Sequence, residues 1–137
     1  MTENQYENPP AVIVKAFTWA YEELGWSRAQ AASLLSVSER VLETSQRIGF
    51  ESDSIQSQTQ LVFIRMYHLL YALSDGDTDE MQCWLKRYHN RLRAIPILLC
   101  DTLDGLEQVS RCLESELNHG MDDRWDHVLP ISLSHWE

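Results

Sequence analysis

The longest apolar run in the chain, Gln60 to Leu73, reads QLVFIRMYHLLYAL, and from Leu61 onward only Arg65 and His68 interrupt it. It is too long and too rich in Leu, Met and Tyr for a buried strand. It is also too short for a membrane helix, which needs about 18–20 apolar residues. A helix apolar on nearly all sides has to be surrounded by protein. The pattern predicts the central helix of a small all-α domain, with Arg65 and His68 on its one polar edge.

Upstream, residues 1–10 are polar and are expected to form a flexible N-terminus running into a helix start at Asn8-Pro9-Pro10. Val12, Ala16, Phe17, Ala20 and Leu24 then recur at helical spacing until Gly25 stops the run. Trp19 and Tyr21 fall on different sides of that helix. The next segment, Ser27 to Arg47, reads SRAQAASLLSVSERVLETSQR. Ser27 caps a short helix, with Gln30 at the capping-box position. Ala31, Ala32, Leu34 and Leu35 give that helix a small apolar face. Ser36-Val37-Ser38 makes the turn, and Ser38 caps a second helix expected to carry Val41 and Leu42 inward. Two short helices, a tight turn and small residues at the crossing make a helix-turn-helix. Ile48 to Ser57 is polar and reads as the link into the central helix.

Charge qualifies the role of that unit. Its outward positions are Arg28 and, on the second helix, Ser38, Glu39, Arg40, Glu43, Thr44 and Arg47. Over Ala11 to Phe50, Lys15, Arg28, Arg40 and Arg47 balance Glu22, Glu23, Glu39 and Glu43. Phosphate contact needs positive charge, whereas two glutamates on the reading helix repel it. DNA binding and a packing module that has lost DNA binding both remain open. The whole chain, 137 residues with 44% hydrophobic residues and a net charge of −10, buries a real core and is not a generic binder of nucleic acid or membrane. Cys83, Cys100 and Cys112 are an odd number at no metal-ligand spacing, and no leader pattern opens the chain; both point to a reduced, cytoplasmic protein.

Downstream of the central helix, Ser74-Asp75-Gly76-Asp77 makes a stop and Asp77 or Thr78 a new start. Trp84-Leu85 anchors that next helix. Leu92 and Ile95 bracket a loop ending at Pro96, which opens a short apolar turn, Ile97-Leu98-Leu99. Asp101 or Thr102 caps the last stretch, where Leu106, Val109 and Leu113 recur at helical spacing.

The helix-turn-helix resembles the Xre type, with Ser36 where that type usually has Gly. The remainder of the chain, from the central helix on, resembles the toxin-binding domain of the Xre/MbcA/ParS antitoxins. The pattern runs through Leu61 to Leu73 with Arg65, Ser74 to Asp79, Trp84-Leu85, Asn90, Leu92, Pro96, Leu98-Leu99, Gly105-Leu106, Val109 and Leu113. One departure is Arg93-Ala94-Ile95, where the family usually has Gly-Gly before the Pro. The resemblance implies a helix-turn-helix over 11–55, a toxin-binding domain over 56–120 and a C-terminal tail over 121–137. It implies an antitoxin that blocks a RES-type, NAD-linked toxin and represses its own operon through operator DNA, the C-terminal end lying at the toxin's active-site entrance.

Two features suit the toxin-binding role. Lys86, Arg87, Asn90, Arg91 and Arg93 cluster around Tyr88 and His89, a basic patch in an acidic chain; a solvated helix end is the plain alternative. Asp122, Asp123, Trp125 and Asp126 mark a tail rich in apolar residues, suited either to enter a cationic cleft or to close the chain's own core. No catalytic motif stands out, the histidines are scattered, and no enzyme activity, cofactor or metal is expected. The helix-turn-helix and the surplus apolar helix surface lead to an expected homodimer. A solitary regulator and a pure protein-interaction module are the other readings that the sequence leaves open.

Overall fold

The computed structural model describes residues 9–128, and side chains as far as Asn118. The chain is all-α: seven helices and, among the described residues, no strand. In chain order they are α1 (Pro10–Glu23), α2 (Arg28–Leu35), α3 (Glu39–Ile48), α4 (Ile55–Leu73), α5 (Thr78–Lys86), α6 (Pro96–Leu99) and α7 (Leu103–Val128). The expected fraying of Met1 to Asn8 lies outside the described residues, and Pro10 opens α1.

Local chemistry sets most of the helix boundaries. Ser27 and Gln30 form the reciprocal capping box of α2. Ser38 caps α3 by accepting from the Val41 amide, and Asp77 caps α5 by accepting from the Asp79 and Glu80 amides. Thr102 does the same for α7 through the Gly105 amide. After α1 the Trp26 amide donates back to the Tyr21 carbonyl and Gly25 takes φ 82°, which closes the helix end. Ser36 closes α2 in the same way at φ 59°, a left-handed conformation that Gly adopts without cost.

The core is one cluster shared by both halves of the chain. Phe17 of α1 and the following Trp26 meet Phe63 of α4, and Phe17 also meets Tyr21, in edge-to-face ring pairs 5.0 to 5.2 Å apart. Met66 and Leu70 continue along α4 to Leu106, Val109 and Leu113 of α7, the helix with which α4 packs most extensively. Met81, Trp84 and Leu85 of α5 close the cluster.

Three expectations need correction. The central helix begins at Ile55, not Gln60, because Ser54 caps it by accepting from the Ser57 amide, and the polar Ser57, Thr59 and Gln60 are buried. It is not enclosed on all sides, since Leu61, Arg65, His68, Tyr71 and Ala72 are exposed along one face. Val41, expected to point inward, is 45% exposed, and Val12, part of the apolar spacing of α1, is 48% exposed; α1 turns Ile13, Val14 and Tyr21 inward, and α3 turns Leu42 and Ser45. Trp19 and Tyr21 do separate as expected, Trp19 being 55% exposed and Tyr21 buried.

Gly105 shows how closely the C-terminal part is assembled. A β-carbon there would stand 1.7 Å from the Leu99 carbonyl oxygen, so the start of α7 runs directly under the end of α6. Gly49 similarly lets the end of α3 pass against the Pro10 backbone, 2.3 Å from where its β-carbon would be.

Candidate functional site

Two surfaces hold those of the residues singled out from the sequence whose side chains are described. The first is the outer face of α3. Glu39, Arg40, Glu43, Thr44 and Arg47 are all exposed there, as is Ser38 just before it. Arg28, on α2, reaches across to Glu43 with a guanidinium-to-carboxylate distance of 3.4 Å. That pair is solvent-exposed on both sides, so it neutralises charge locally without adding much stability. The Ser38 hydroxyl is engaged in the helix cap, and Thr44 donates its hydroxyl hydrogen to the Arg40 carbonyl at 2.8 Å. Arg40 and Arg47 remain as exposed cations with no carboxylate within ion-pair distance among the described residues.

The second surface is the turn between α5 and α6 together with one stripe of α7. An isolated antiparallel bridge pairs His89 with Ala94, the His89 amide donating to the Ala94 carbonyl at 3.1 Å. The turn is tied down through Trp84. His89 stacks against the Trp84 indole with ring centroids 4.2 Å apart, and its Nε2 lies 3.0 Å from the Trp84 carbonyl oxygen. A carbonyl only accepts, so Nε2 carries the proton in that contact. Trp84 Nε1 in turn donates to Glu116 of α7 at 3.3 Å. Glu116 also faces His89 Nδ1 at 3.9 Å and accepts from Cys112 at 3.7 Å. Burial first, and then the Glu116 carboxylate, push the Cys112 thiol up to about 11, so it stays a protonated donor.

On this support Lys86, Arg87, Asn90, Arg91 and Arg93 are arrayed, all five of them exposed. Arg87 pairs with Glu80 at 3.5 Å on the surface of α5. Arg91 crosses to α7 and donates to the Ser115 hydroxyl. Arg93 holds φ 55°, a conformation unusual for a residue with a side chain. Arg91 and Leu92 form one wall of an open cleft of about 410 Å3, and Gln108, Arg111, Cys112 and Ser115 of α7 form the other. The sequence reading missed Arg111, Glu116 and Cys112. Spacing held a signal for the cleft wall, because positions 108, 111, 112 and 115 recur on one helical face; nothing local showed that this face meets the turn.

Asp122, Asp123, Trp125 and Asp126 fall where α7 continues toward Val128, and their side chains lie outside the described residues. The backbone runs as helix through Gly120, so the expected start of a separate tail at 121 falls inside α7. No described helix is long and apolar enough to cross a membrane. No protein-family model and no curated protein matches the chain.

Proposed function

We propose that this chain is the antitoxin of a toxin–antitoxin pair: it binds and blocks a RES-type, NAD-linked toxin, and its α2–α3 unit binds operator DNA and represses the operon. The observation that carries the reading is the basic turn. Residues 86 to 93 hold four cations and no acid on a chain of net charge −10, and the Trp84–His89–Glu116 contacts keep them in place. Fixed arginines at the surface of an otherwise acidic protein suit recognition of a partner. The resemblance to Xre/MbcA/ParS antitoxins supplies the kind of partner. Two Ser-capped helices around the left-handed Ser36, with a polar outer face on α3, support the operator role.

The test is co-expression. The product of a neighbouring NAD-linked toxin reading frame is expected to arrest growth alone and to be silenced by this chain. Arrest that persists at equal protein levels overturns the reading. A second reading, an interaction module that does not touch DNA, is favoured by the exposed Glu39 and by the Arg28–Glu43 pair, which ties up one of the unit's cations. Binding to upstream DNA that is absent at low salt selects it over the operator role.

A further inference from the structure

We propose that the cleft between Arg91 and Arg111 is a carboxylate clamp: a Glu or Asp side chain of a protein partner enters it and is held by both guanidinium groups. The identity of that partner rests on the antitoxin reading above, but the chemistry of the clamp does not.

Four observations lead to it. Arg91 and Arg111 approach one cleft from two separate elements, the turn and α7, and neither has a carboxylate within ion-pair distance among the described residues. The Arg91 bond to Ser115 holds its guanidinium over α7. Of the acids on this part of α7, Glu114 pairs with Arg65 of α4, Glu116 faces Trp84 and His89, and the exposed Glu107 forms no ion pair among the described residues. Asp104 accepts from Gln108 at 3.0 Å, and the described lining of the cleft itself holds the two arginines and no acid. Guanidinium groups bind planar oxyanions through two parallel N–H bonds, a geometry that ammonium groups do not offer.

Shape decides between a metabolite and a protein side chain. Sites for small molecules bury most of their ligand in an enclosed, largely apolar cavity. This cleft is open, and its described lining offers only Leu92 and Cys112 as apolar contacts. An open polar cleft suits a side chain delivered by a protein surface that covers the rest. Arg93, held at φ 55° two residues from Arg91, adds a cation to the same turn.

The test uses the full chain and two probes, followed by NMR: a blocked octapeptide of alternating Glu and Ala, and inorganic pyrophosphate. The peptide is expected to shift the amides of Arg91, Gln108, Arg111 and Ser115 saturably. Affinity should fall about tenfold in the Arg91→Ala/Arg111→Ala variant, and by less in the Lys/Lys variant, which keeps charge but not geometry. Circular dichroism confirms that both variants fold. No saturable shift, or equal affinity for the double alanine variant, overturns the clamp. Binding of pyrophosphate without the peptide makes the cleft an inorganic-oxyanion pocket and overturns it as well. A toxin complex that the double alanine variant leaves unchanged removes the clamp and keeps the antitoxin reading. Peptide binding that depends on both arginines, with no toxin complex, supports the clamp and removes the antitoxin reading.

Discussion

The two candidate surfaces differ in how they handle charge. Along α3, Glu39 and Glu43 alternate with Arg40 and Arg47, and Arg28 reaches over from α2 to neutralise Glu43. Along the turn after α5, Lys86, Arg87, Arg91 and Arg93 stand without an acid among them, and of these four only Arg87 has a carboxylate partner among the described residues. A phosphate backbone gives up counterions in proportion to the cations that meet it, so a balanced face gains little from it. The turn is the opposite case. It keeps its positive charge on a chain that is acidic overall, and there steering toward an acidic partner is strongest. The region that resembles a DNA reader is therefore electrostatically the weaker binder of anions. The turn facing the cleft wall of α7 is the stronger.

The supports of the two surfaces differ as well, and the greatest loss of stability is expected there. Gly105→Ala places a methyl group against the Leu99 carbonyl and displaces α6, beyond the turn, from α7. A loss of about 3 kcal/mol, or about 10 °C in melting temperature, is expected by thermal denaturation. An unchanged melting temperature shows that α6 yields freely and that the cleft is not rigidly seated. The next effect is at α3. Arg40→Ala is expected to lower operator affinity by about 1–3 kcal/mol, read by fluorescence anisotropy at fixed salt. Unchanged affinity moves any DNA contact off α3 and widens the gap between the two surfaces.

A weaker pair of effects sets the two surfaces side by side. Ser36 and Arg93 both hold left-handed backbone, at φ 59° and 55°. Glycine at either position relieves about 1 kcal/mol, seen as a higher midpoint in urea. Ser36→Gly should leave binding of the proposed toxin untouched, whereas Arg93→Gly should stabilise the fold and weaken that binding. Equal behaviour of the two variants in binding would end that distinction. The mildest effect concerns the thiols. Burial, and then Asp101, push Cys100 up to about 12, and Cys112 is raised to about 11 by burial and then Glu116, so both stay protonated at neutral pH. Cys83 is exposed. A thiol reagent at pH 8 should modify one cysteine quickly in the native protein and all three in denaturant. Rapid native modification of Cys112 would show that the Glu116 contact behind the turn opens readily.

Much of this was legible in the sequence wherever the cause is local. Ser27 with Gln30, Ser38 and Asp77 are caps whose partners lie within a few residues, and the stops at Gly25 and Gly76 follow from backbone freedom. The start of α4 was not legible. Ser57 reads as the end of a polar link and Thr59 falls between that link and the apolar run, yet both lie buried in α4, as does Gln60. Val41 was placed inside by its apolar character, but the rotation of α3 is set by Leu42 and Ser45 against the core. For the binding surfaces, the basic cluster from Lys86 to Arg93 is visible as composition. Arg111 is not, because its meaning comes from a turn earlier in the chain folding against α7.

The most direct test maps the partner's footprint. Hydrogen–deuterium exchange on the full chain, alone and with the proposed toxin partner, reports protection of backbone amides segment by segment. Protection is expected over residues 87–93 and 108–115, with α3 exchanging as it does in the free protein. Protection centred on α3, with the turn and α7 unchanged, would contradict the account.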